Sequence, residues 1–135
     1  MLAAFIGIVL SLVLIISAKV TQFDKDKSFY PLILICIASF YIVSAVMVGH
    51  SVVREIGIAC IFVIVAFYGA FKSLFVVGFA IALHGVYDVL HFLKFTETVA
   101  PTWWAPFCAT VDFIVGAWVM YLSKKQALWV TPHAT

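Results

Sequence analysis

Ser73-Leu-Phe-Val-Val-Gly-Phe-Ala-Ile-Ala-Leu-His84-Gly-Val-Tyr87-Asp88-Val-Leu-His91-Phe-Leu93 carries no lysine or arginine from end to end. About 20 mainly apolar residues cross about 30 Å of hydrocarbon as a helix, so this run reads as a membrane span. It also holds two imidazoles and a carboxylate. An ionisable side chain near the bilayer centre costs about 2.5–3.5 kcal/mol even on the insertion scale, so each of them needs a partner, a cavity or a function. At 100° per residue, His84, Asp88 and His91 fall within a stripe about 60° wide, with Tyr87 at its edge. The flanking residues are apolar, so that stripe is expected to face other helices rather than lipid.

The rest of the chain has the same character. Of its 135 residues, 66% are hydrophobic and only 10% charged, and the mean hydropathy is +1.21. This is membrane composition, outside the range of soluble domains. A net charge of +2, with the basic residues dispersed, excludes a phosphate-binding patch and with it a nucleic-acid partner. Cys36, Cys60 and Cys108 lie in apolar runs and are odd in number, so no disulfide framework is expected; Cys36 and Cys60 read as small buried hydrophobes.

Five runs qualify as spans, at about residues 2–18, 30–49, 53–71, 73–93 and 105–123. The chain begins Met1-Leu2-Ala3-Ala4-Phe5 without a basic n-region, so the first run is expected to be a retained span rather than a signal peptide. Between runs, Ser28 with Pro31 resembles a capped helix start, and Gly49-His50-Ser51 is a break. Lys94 to Pro106 is the longest link, and Pro106 suits a first helical turn. Trp103 and Trp104 suit an interfacial aromatic belt. Lys19, Lys25, Lys27, Lys72, Lys124 and Lys125 share one face, and Arg54 and Lys94 the other, which predicts an outside N-terminus and a cytoplasmic C-terminus. No repeat or soluble segment interrupts the chain. The expected architecture is all-α, a polytopic membrane bundle of five transmembrane helices forming one domain over residues 1–135.

Asp112 is the other carboxylate inside a span, and Trp104, Cys108 and Asp112 share a face at i, i+4, i+8. Asp88 precedes Lys94 by as many residues as Asp112 follows Pro106. At 1.5 Å per residue both lie about 9 Å inward from the same surface, so the two carboxylates are expected to meet. Two carboxylates at one depth need a proton, a histidine or a cation between them. His84 and His91 are about 10.5 Å apart along the axis, too far to chelate one ion at about 2.0–2.1 Å. The workable ligand sets are His84 with Asp88, or Asp88 with His91, completed by Asp112 and by Cys108 or water; the inventory suits iron, zinc or manganese. The same spacing also makes a ladder fit for a proton relay. Arg54 and Glu55 read as a solvated headgroup-level pair, His50 stays undecided, and His133 reads as an exposed tail residue.

The combination His84-Gly-x-Tyr87-Asp88-x-x-His91, followed by Trp103-Trp104-x-Pro106-x-Cys108-x-x-x-Asp112, resembles a family of small uncharacterised bacterial integral membrane proteins. The resemblance covers the last two helices and implies a bacterial inner (plasma) membrane location, without implying an activity. Membrane hydrolases with zinc held by His and Asp offer a looser analogy, and the His-rich boxes of membrane di-iron enzymes are absent.

Three functions are consistent with these residues. The first is a buried His/Asp site between the fourth and fifth helices, formed by His84, Asp88, His91, Asp112 and Tyr87, that binds a metal ion, protons or a small polar ligand from the outer face. The second is a metal-dependent membrane enzyme acting on a lipid-like substrate. The third is a structural or assembly subunit in which the polar groups lock helices together; interhelical bonds of about 0.6 kcal/mol on average would need fewer ionisable groups than four. The expected partners are the lipid bilayer and either further copies of the chain or a larger membrane complex.

Overall fold

The computed structural model describes residues 1–95 and 99–129. Five helices follow one another: α1 Leu2–Val20, α2 Phe29–Val48, α3 Val52–Lys72, α4 Leu74–Phe92 and α5 Trp104–Trp129, with one 3₁₀ turn at Phe23–Lys25 between α1 and α2. No strand occurs among the described residues. All five helices are long and apolar enough to cross a membrane. Their ends lie within two residues of those read from the sequence, except that α5 continues to Trp129 rather than stopping near residue 123. His133 lies outside the described residues.

The helix ends follow local chemistry. Gly49, in the left-handed region at φ 81°, terminates α2, its N–H bonding the Ala45 carbonyl, as the αL cap requires. A single extended residue, Ser73, joins α3 to α4. Where α4 ends, Lys94 N–H bonds the His91 carbonyl and Phe95 N–H the Leu90 carbonyl, the paired bonds of a Schellman ending with lysine in place of the usual glycine. At the start of α2 the expected serine cap is not made. The Ser28 hydroxyl and N–H instead both donate to Asp26 Oδ1, at 2.6 and 2.8 Å. These bonds, the hydroxyl's first, hold the Asp26 carboxyl below its ordinary range, because they favour the charged form.

The helices pack in the spatial order α1, α5, α4, α3, α2, with α2 also touching α4. The seam between α4 and α5 is the most extensive, and small residues make it. A Cβ added at Gly116 would stand 2.8 Å from both Ala82 N and Gly78 O; one at Gly78 would stand 2.7 Å from Met120 N. Such close approach is how helices associate where lipid offers no hydrophobic drive. α1 leans on α5 through Gly7, where a Cβ would meet Phe107 O at 2.8 Å. By contrast, α1 and α2 share no extended packed seam, so the bundle is open between them.

Apolar side chains occupy both surface and interior. Leu12, Val43, Ile64, Phe67 and Phe79 are exposed, Leu34, Ile81, Val115 and Val119 are buried, and Ser11, Glu55, His84, Asp88, His91 and Asp112 are buried among them. Cys36 and Cys60, expected inside, are exposed on the apolar outer surface. In a chain where nearly every helical position is apolar, apolarity does not mark the interior.

Candidate functional site

The centre of the site is set by the α4–α5 seam. Gly85 brings the helices together one residue after His84: a Cβ there would touch Asp112 Cβ at 3.1 Å and Ala109 O at 3.4 Å. His84 and Asp88, one turn apart on α4, therefore face Asp112 on α5. His84 Nδ1 lies 2.9 Å from Asp112 Oδ2 and 3.9 Å from Asp88 Oδ2. One ligand atom from each of His84, Asp88 and Asp112 falls within 4.8 Å of the others. All three residues are buried, at 1%, 0% and 0% exposure.

Surrounding aromatic groups hold the centre in place. The Tyr41 hydroxyl of α2 donates to Asp88 Oδ1 at 2.6 Å, and the Tyr41 ring stacks on His91 at 4.7 Å between centroids. Phe62 of α3 meets the His84 ring edge-on at 4.9 Å. Among the described residues, Asp88 Oδ2 and Asp112 Oδ1 have no hydrogen-bond partner. A buried carboxylate oxygen left bare forfeits about 1–3 kcal/mol or more, so this pair is open to a proton donor or a cation.

Of the residues named from the sequence, the structure brings His84, Asp88 and Asp112 together. His91 is buried but stands against Tyr41 and Tyr87, outside the converging atoms. Cys108 is partly buried, one turn before Asp112 on α5, and is likewise outside them. Tyr87 packs its ring against His91 and Tyr41, while its hydroxyl turns away, donating to Glu55 Oε2 at 2.9 Å and Oε1 at 3.1 Å. His50 is exposed beside Ser51.

Glu55 corrects the sequence expectation. It is 1% exposed rather than solvated, with Arg54 Nη2 at 2.9 Å and Nε at 3.1 Å on its Oε1. The rotation of α3 places Glu55 inward and leaves the Arg54 side chain 34% exposed. Tyr41 is a residue the sequence did not single out. The available signal was a phenol in the middle of an apolar span, which when buried requires a partner.

Chemically, the centre offers one imidazole nitrogen and two carboxylates from two helices. A tetrahedral ion at about 2.0–2.1 Å from each ligand would set them about 3.4 Å apart, closer than the 4.8 Å span of the group as it stands. Three protein ligands leave a fourth position for water or substrate.

The model of a family of unknown function (DUF6010) matches residues 2–125. No curated protein matches the chain, and no solved structure does.

Proposed function

The chain belongs to this family of unknown function, and we propose that it is an integral membrane protein whose α4–α5 centre binds a divalent transition-metal ion through His84, Asp88 and Asp112. Five apolar helices with lipid-compatible outer faces support the membrane location. The excess of lysines on the face carrying Lys19, Lys25, Lys27 and Lys72 supports a cytoplasmic position for that face and an external one for the N-terminus. The bacterial inner membrane is the membrane proposed.

The observation that carries the metal reading is the meeting of one imidazole nitrogen and two carboxylates within 4.8 Å, with an oxygen of each carboxylate left bare. Two carboxylates in a dry interior repel each other, and a divalent cation compensates both at once. Mixed nitrogen and oxygen ligands favour iron, zinc or manganese over calcium or magnesium.

Equilibrium dialysis of metal-stripped protein in detergent against zinc, manganese or ferrous ions tests the proposal. Roughly one ion per chain is expected for the wild type, with affinity reduced about 100-fold or more in Asp112→Asn. Equal binding by Asp112→Asn and wild type would contradict it. A protein that binds no ion leaves proton binding as the second reading, favoured by the bonds from Tyr41 to Asp88 and from Tyr87 to Glu55 that extend the polar cluster.

A further inference from the structure

The basic residues are dispersed in the sequence, but the fold gathers three of them. The α1–α2 link and the α3–α4 junction meet around a cavity lined by Asp24, Lys25, Asp26 and Lys27 of the link and by Lys72 and Ser73 of the junction. Three ammonium groups against two carboxylates leave it one net positive charge. Among the described residues none of the three lysines is paired with a carboxylate: Lys25 Nζ bonds the neutral Gln22 Oε1 at 3.2 Å, and Asp26 Oδ1 accepts instead from the Ser28 N–H and hydroxyl. Ser73 opens α4 without a side-chain cap, so the helix brings its unfilled N-terminus to the same point. The cavity continues into an apolar groove. Lys27, Ala70 and Phe71 border both, and from there the groove runs between α2 and α3, past Leu32 and Ile35 on one side and Phe67 on the other. From Ser28 to Ile35 it descends about 10 Å along α2 at 1.5 Å per residue.

We propose that cavity and groove together form a site for one anionic phospholipid, whose phosphodiester lies among Lys25, Lys27 and Lys72 at the start of α4 while one acyl chain follows the groove. Charge complementarity selects the head: phosphate is the anion that lysines at a membrane surface and a helix N-terminus both favour. The groove selects the lipid over free phosphate, because the polar cavity gives way to apolar walls where a phospholipid's own polarity changes. A second copy of the chain lacks the matching charge. Its other acidic side chains among the described residues, Glu55, Asp88 and Asp112, are buried, and its Asp24 and Asp26 already stand in its own cavity. The site rests on the proposed membrane location and is independent of the ion centre.

The test is native mass spectrometry of the full-length protein released from nanodiscs of equal phosphatidylglycerol and phosphatidylcholine content. One retained phosphatidylglycerol per chain is expected, in about tenfold excess over phosphatidylcholine. Lys27→Gln and Lys72→Gln are each expected to lower that preference about fivefold. Lys124→Gln removes an equal charge from an exposed position outside the cavity and is expected to leave the preference unchanged. Leu32→Trp narrows the groove and is expected to reduce retention with all three lysines in place; Ile35→Trp, on the same wall, is the second variant should the first not fold. Equal retention of the two lipids overturns the proposal, as does an equal fall in Lys124→Gln, retention untouched by the groove variants, or dimers of the chain in place of lipid adducts. A chain that does not enter nanodiscs at all contradicts the membrane location itself, so the two failures are distinguishable.

Discussion

Tyr41 lies outside the proposed ion-binding group but holds one of its members. Its hydroxyl is the hydrogen-bond partner of Asp88 Oδ1, leaving Oδ2 turned toward His84 Nδ1. Removing such a supporting bond typically lowers metal affinity 10–100-fold. Tyr41→Phe is therefore expected to weaken zinc binding by about that factor without unfolding the protein, measured by competition with a chromophoric chelator; unchanged affinity would show that the carboxylate is held otherwise. Glu55 belongs to a different unit. Its carboxylate is occupied by Arg54 and Tyr87, so Glu55→Gln is expected to leave ion affinity within twofold of the wild type and to act on stability. Tyr41 went unnoticed in the sequence, and Glu55 was expected to be solvated, for one physical reason. A helical wheel shows which residues share a face, but only packing decides which face turns inward, and α2 and α3 are apolar nearly all round. Asp88 and Asp112 were legible because their depth depends only on helical rise and on the link they share.

At the scale of the helices, the α4–α5 seam determines whether the centre exists. Gly116 has backbone atoms of α4 at 2.8 Å from where a Cβ would stand, so Gly116→Leu overpacks it by about 1–3 kcal/mol or more. Thermal unfolding in detergent is expected to show a clear fall in midpoint accompanied by loss of the ion. Gly57, with nothing within 4 Å of a Cβ, is the control: Gly57→Ala is expected to be neutral, or stabilising by up to about 1 kcal/mol through helix propensity. Helix number and most boundaries were readable from length and hydropathy, whereas this seam of small residues, Gly78, Ala82, Gly85 and Gly116, passed as ordinary apolar sequence. The link before α2 gives a pH-dependent prediction. Because the Asp26 carboxyl titrates below its ordinary range, its contribution to stability is present above the unfolded value and is lost as pH falls through the folded one. Ser28→Ala should return its titration, followed by carboxyl carbon NMR, toward the ordinary range.

For the whole molecule, an apolar outer surface around a largely apolar core that encloses one cluster of ionisable groups separates this fold from a soluble bundle. That arrangement explains why Cys36 and Cys60 lie on the surface despite their apolar surroundings. The proposed orientation places the α2–α3 turn outside and the α1–α2 link in the cytoplasm. Ser51→Cys is expected to react with a membrane-impermeant maleimide in intact cells, and Ser28→Cys only after permeabilisation; the reverse pattern would invert the topology. Central to the proposed function is an ion held between His84, Asp88 and Asp112. Elemental analysis of the wild-type protein, purified in detergent without chelator or added metal, tests this most directly. Roughly one transition-metal ion per chain is the predicted result, and a purified, folded protein with no stoichiometric metal would contradict it.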